Sequence, residues 1–197
     1  MDLSVWSILL RLLEQACLVI VVFYLLFQIK FFRRMLEGKP NLLDQLILAV
    51  IFGALAVYGT YSGVQTSGAI ANIRNLGPMI AGFLGGPWAG LGAGLIGGVH
   101  RYFMGGFTAV PCALGTIASG LIAGIIYALL KGKIGVWKPT LYAFLMECAD
   151  MGLLLLMAQP FDKALNLVSI IAVPMVLADT AGVAVFAFML SKLKSVR

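Results

Sequence analysis

Residues 72–124 read NIRNLGPMIAGFLGGPWAGLGAGLIGGVHRYFMGGFTAVPCALGTIASGLIAG. They hold 14 of the chain's 23 glycines, its only histidine, and Arg74 and Arg101, which stand apart from every other basic cluster. Gly82, Gly86, Gly90, Gly94 and Gly98 recur every fourth residue, and Gly120 and Gly124 repeat the spacing. Small residues four apart let helix backbones approach closely, and in lipid it is this van der Waals contact that holds a bundle together. The stretch reads as a glycine-packed membrane scaffold presenting two arginines to a small anion.

Composition around it agrees. At 61% hydrophobic residues over 197 and a mean hydropathy of +1.02, the chain is too apolar for a soluble domain, whose apolar share is about half. Residues 18–27 and 46–57 are apolar on all faces, whereas barrel strands alternate. The fold class is therefore all-α: a polytopic membrane bundle of about five to seven transmembrane helices, with a short glycine-rich helix pair.

The net charge of +6 raises the question of nucleic acid, and the positions of the basic residues answer it. Lys30, Arg33, Arg34 and Lys39 follow the first apolar run, Lys131, Lys133 and Lys138 share a later loop, and Lys192, Lys194 and Arg197 close the chain. Three such clusters mark cytoplasmic loops under the positive-inside rule and indicate no nucleic-acid partner. The N-terminus lacks the basic flank and cleavage site of a signal peptide, so it is expected to stay as a helix with its start outside. The C-terminus is expected in the cytoplasm.

Seven segments are expected within one transmembrane domain, over residues 3–28, 42–61, 69–85, 88–103, 111–130, 140–158 and 165–190. Arg11 and Glu14, three apart in segment 1, are spaced to pair on one helix face. The YGTYSGVQTSG run after segment 2 reads as an external loop. Segments 3 and 4 meet at Gly85-Gly86-Pro87, and at ~1.5 Å per residue each reaches only about 25 Å, so they either cross as short helices or dip as a re-entrant hairpin. Pro111 suits the first turn of segment 5.

No phosphate-binding loop, kinase, hydrolase or zincin motif occurs, and Cys17, Cys112 and Cys148 lie in apolar runs without metal or disulfide spacing. No catalytic residue, metal or cofactor is expected. What remains is a binding site. Arg74 is placed at the outer start of segment 3, in a first turn where the helix dipole disfavours a cation, and Arg101 at the outer end of segment 4 beside His100. Something negative is required nearby. A small carboxylate gripped by two guanidinium forks under the N-termini of segments 3 and 5 is one solution, with Asn72, His100, Cys112 and Thr116 as further polar lining. Snorkelling, or pairing with Glu147 or Asp150, is the other. Glu147, Asp150 and Asp179 are carboxyl groups at membrane depth, which serve either as counter-charges to the arginines or in ion coupling.

The order Asn-x-Arg, Gly-Gly-Pro, Gly-Gly-x-His-Arg-Tyr and Met-Gly-Gly, followed by MEC at 146–148, LNLVSIIAVPM at 165–175 and Gly182, resembles the five-transmembrane receptor domain of LytS/BtsS-type sensor histidine kinases. The resemblance implies a bacterial inner-membrane sensor, dimeric, whose cytoplasmic kinase modules lie outside these residues and signal to a LytTR-type response regulator. It is nearest the pyruvate-sensing branch, where two arginines, a cysteine and a serine are associated with the ligand. The matching positions here are Arg74, Arg101, Cys112 and Gly115. The glycine replaces the serine, and Thr116 offers a hydroxyl one residue on. The same core is also similar to the substrate-binding S components of energy-coupling-factor vitamin transporters, which sets a small-molecule uptake subunit as the alternative.

Overall fold

The computed structural model describes residues 5–29, 32 and 40–195. The cluster Lys30, Arg33, Arg34 and Lys39, the side chain of Lys194, and Arg197 lie outside the described residues. Seven helices and one two-stranded hairpin make up what is described: α1 Val5–Gln28, α2 Leu42–Tyr61, β1 Val64–Thr66, β2 Ala69–Ala71, α3 Leu76–Gly85, α4 Pro87–Phe103, α5 Ala109–Leu129, α6 Trp137–Met157 and α7 Phe161–Ser195. Of these, α1, α2, α5, α6 and α7 are long and apolar enough to cross a membrane. The fold is an all-α polytopic membrane bundle around a short glycine-rich helix pair, α3 and α4.

Backbone contact at glycine organises that pair. A Cβ on Gly98 would meet Ala113 O, on Gly94 the backbone of Ile117, on Gly90 the carbonyl of Gly120, and on Gly124 the backbone of Gly86. The contacts step by about four residues along both chains, so α4 and α5 run antiparallel with their backbones touching. On the other side of α4, Gly92 faces Ala49 and Gly97 faces Ala56 of α2. The tip of the α3/α4 hairpin is Gly86, whose φ of +86° favours a residue without a Cβ. It packs on Gly124 and Tyr127, near the end of α5.

The boundaries differ from the sequence reading in one place that matters. Segment 3 was expected from residue 69, but residues 69–71 are β2, and α3 begins at Leu76. The hairpin turns at Ser67 and Gly68, with φ of +49° and +79°, the pattern of a two-residue turn that matches strand twist. Asn72 then closes a turn of its own: its Nδ2 donates to Ile70 O at 2.8 Å and its Oδ1 accepts from Arg74 N at 3.1 Å. The residues that follow, 73–76, are irregular or just entering the helix, yet buried. Irregular backbone in a membrane bundle is tolerated inside protein or against a polar cavity, and here residues 72–76 are buried within the bundle.

At the helix ends, α5 begins at Ala109, two residues before Pro111, and α7 extends from Phe161 to Ser195, beyond both limits read from sequence. Arg11 and Glu14 are both exposed on α1. It is the neighbouring Gln15, buried, whose Nε2 donates to Ser62 O and ties α1 to the end of α2. Further along, Phe23 meets Phe186 edge-on with ring centroids 4.8 Å apart, locking α1 to α7.

Candidate functional site

The loop at residues 72–75 delivers Arg74 to the start of α5. Arg74 is 2% exposed; its Nε donates to Thr116 Oγ1 at 2.5 Å and its Nη2 to Cys112 O at 3.3 Å. It therefore stands just before α3, with Asn75 as the capping residue, rather than in that helix's first turn. Arg101, also 2% exposed, comes off the last turn of α4; its Nη1 donates to Gly105 O at 2.7 Å and its Nη2 to Thr108 Oγ1 at 2.8 Å. Cys112 and Arg74 both lie within electrostatic range of Arg101. Two like charges buried together against neutral oxygens are costly unless an anion accompanies them.

The carboxyl groups are close but do not pair directly with either arginine. Asn75 stands between. Its Nδ2 donates to Glu147 Oε1 at 2.8 Å and to Asp150 Oδ2 at 2.5 Å, and its Oδ1 accepts from Thr116 Oγ1 at 2.9 Å. Thr116 has one proton, shared between Asn75 and Cys112 O at 2.8 Å, while it accepts from Arg74. Charge thus runs Arg74, Thr116, Asn75, then Glu147 and Asp150, with Asp179 of α7 facing Glu147. Glu147 and Asp179 are fully buried. The network continues through Ser119, whose carbonyl accepts from Tyr142 OH at 2.6 Å.

This layer is under-satisfied. Of ten buried side-chain polar atoms without a hydrogen-bond partner among the described residues, six belong to it: Arg74 Nη1, Arg101 Nε, Glu147 Oε2, Asp150 Oδ1 and both oxygens of Asp179. Glu147 and Asp179 face each other and can share a proton, which leaves Arg74 Nη1, Arg101 Nε and Asp150 Oδ1 as the atoms that mark a candidate site. Beside it lies a cavity of about 20 Å³, whose lining includes the polar residues Asn72, Arg74, Asn75, Thr108, Cys112 and Asp150 and the apolar Met151, Leu154, Leu167, Ile171 and Met175. That volume holds roughly one water, so a larger guest has to part its walls.

The sequence-derived residues divide accordingly. Arg74, Arg101, Cys112 and Thr116 are brought together; Asn72 shapes the loop and reaches the cavity wall. Gly115 faces α6, where a Cβ would collide with the Asp150 carboxylate. His100 points elsewhere: its ring lies 5.2 Å from that of Tyr61, and Nδ1 has no partner. Asn75 and Thr108 were not foreseen. Asn75 is within the quoted stretch, but an asparagine before a helix reads first as a cap, and its side chain makes no cap bond here.

Residues 29–193 match the family described as 5TMR of 5TMR-LYT. The chain is similar to Sensor histidine kinase BtsS of Escherichia coli strain K12, at 34% identity over 187 residues, covering 92% of this chain and 33% of that protein. It is similar also to Sensor protein LytS of Bacillus subtilis strain 168, at 32% over 198 residues (91% and 33%), and to Sensor histidine kinase YpdA of Escherichia coli strain K12, at 32% over 180 residues (89% and 32%). The chain spans about a third of the length of these relatives. No solved structure matches it.

Proposed function

The chain belongs to the 5TMR-LYT family of membrane sensor domains, and on that premise we propose that it binds a small carboxylate through Arg74 and Arg101 and passes the event to a kinase module. The observation that carries this reading is the pair of buried guanidinium groups, each with one nitrogen unpartnered and each hydrogen-bonded only to neutral oxygens, Arg74 lining a cavity and Arg101 bonded to Thr108 in its wall. A carboxylate accepts a charge-assisted hydrogen bond from the free nitrogen of each arginine, Nη1 of Arg74 and Nε of Arg101. Pyruvate is the reference ligand, by the likeness of Arg74, Arg101 and Cys112 to the pyruvate-sensing branch.

Orientation follows from charge. Lys131, Lys133, Lys138 and Lys192 gather at the bundle end away from the arginines, so in this reading that end is cytoplasmic and the site opens outward, with the N-terminus outside and the C-terminus inside. Leu167, Ile171 and Met175 of α7 line the cavity, and α7 runs on unbroken to Ser195. Opening the cavity for a ligand displaces α7, which is the route to a kinase module and, beyond it, a LytTR-type response regulator in a dimeric assembly. Such a switch works only if ligand affinity differs between the two arrangements.

Purified chain in detergent tests the proposal by thermal shift. Stabilisation that rises with pyruvate concentration, and is lost in Arg74→Gln and Arg101→Gln, is expected; no shift with any small carboxylate overturns it.

A further inference from the structure

Gly115 and Asp150 together change what the site accepts. The space that a side chain at residue 115 would fill is occupied by the Asp150 carboxylate, which comes so near that a Cβ there would overlap it. That carboxylate also lines the cavity holding Arg74, Asn75 and Cys112. One oxygen, Oδ2, is taken by Asn75; the other, Oδ1, is closed to solvent and has no donor. Arg74 lines the same cavity, and its Nη1 is buried and has no acceptor. The cavity wall thus includes a guanidinium nitrogen without an acceptor and a carboxylate oxygen without a donor.

The charge count makes the complement specific. Glu147 and Asp179 face each other closely enough to share one proton, so with Asp150 ionised the three carboxyl groups contribute −2 against +2 from Arg74 and Arg101, for a buried sum of zero. A simple anion takes this to −1, in a place where uncompensated charge is strongly disfavoured. A zwitterion leaves it unchanged and satisfies both orphaned atoms, its carboxylate on Arg74 and its ammonium on Asp150.

We propose that the site of this chain is built for a small α-amino acid rather than for a 2-oxo acid. This rests on the carboxylate-binding reading above and narrows it. Glycine at 115 makes room for Asp150, and Asp150 supplies the acceptor that a ketone oxygen cannot use and an ammonium can. The apolar wall of Met151, Leu154, Leu167 and Ile171 faces the side chain and keeps it small and uncharged.

Four acids on one three-carbon skeleton decide the matter: L-alanine, L-lactate, pyruvate and propionate, each titrated into the purified chain at one ionic strength. L-alanine is expected to bind at least about tenfold more tightly than pyruvate or propionate, the margin of a charge-assisted hydrogen bond. Asp150→Asn is expected to bring the four within a few-fold of one another, and Gly115→Ser, which pushes the Asp150 carboxylate aside, to do the same while a carboxylate still binds. Pyruvate or lactate ahead of alanine in the unaltered chain overturns this inference and leaves the carboxylate site standing. If none of the four binds, both readings fail.

Discussion

Asn75 joins the loop before α3 to α6 by donating to Glu147 Oε1 at 2.8 Å, from the same amide nitrogen that reaches Asp150. Glu147 is wholly buried and has the Asn75 amide and the Asp179 carboxyl group for company, so this amide carries much of its compensation. Replacing Asn75 with leucine, which fills the space without donating, is expected to destabilise the bundle by about 1–3 kcal/mol for each carboxyl group left unpaired. Denaturant titration of the purified variant measures it. A loss below ~0.5 kcal/mol, the size of an ordinary surface change, would contradict the placement of Asn75 at the centre of the network.

Thr116 is the next link. Its hydroxyl accepts from Arg74 and donates toward Asn75. Thr116→Val keeps the shape and removes the hydroxyl; a stability loss of about 1–3 kcal/mol is expected, with weaker carboxylate binding because Arg74 is no longer held. Thr116→Ser restores the hydroxyl and is expected to recover most of the affinity. Equal affinities for the valine and serine variants would show that the hydroxyl does not position Arg74.

The glycines are not equivalent, and the difference is testable in pairs. A methyl group at Gly90 would strike the carbonyl of Gly120, backbone against backbone, with nothing flexible to yield. Gly90→Ala is expected to part α4 from α5 and cost more than ~3 kcal/mol, the upper range for overpacking. At Gly152, in α6, nothing lies within 4 Å of the added carbon. There alanine is expected to be neutral or to stabilise by up to ~1 kcal/mol through helix propensity. Thermal denaturation of the two variants side by side gives the contrast.

His100 separates the site from its surroundings. Its ring packs on Tyr61, away from the cavity. His100→Ala is expected to cost about 0.5–1.5 kcal/mol of stability, the worth of an aromatic contact, with carboxylate affinity unchanged. A loss of binding without a loss of stability would bring His100 back among the ligand-contacting residues.

Much of this architecture was legible in the sequence because membrane helices announce themselves by length and apolarity, and glycines four apart announce close packing. The all-α class and the short pair at Gly86 rest on those signals. Arg74 and Arg101 stand out in the sequence as a candidate site for a related reason: two cations in an apolar stretch require an explanation. The start of α3 was not, because Asn72 turns the chain with side-chain hydrogen bonds that hydropathy does not register. Nor was the role of Asn75, which depends on Glu147, 72 residues away and brought near only by the packing of α6. Gly115 shows the same limit. In sequence it is a missing serine; in the fold it is the space that Asp150 fills.

The central claim is that Arg74 and Arg101 hold a carboxylate between their guanidinium groups, and a lysine substitution at each tests it most directly. Lysine keeps the charge but cannot both bond the neutral oxygens that fix each guanidinium group and reach a carboxylate. Titrated with L-alanine and with pyruvate at one ionic strength, Arg74→Lys and Arg101→Lys are expected to bind whichever acid the unaltered chain prefers at least about tenfold more weakly, the loss of one charge-assisted hydrogen bond. Affinity within twofold of the unaltered chain in both variants would show that no carboxylate is held between these two arginines.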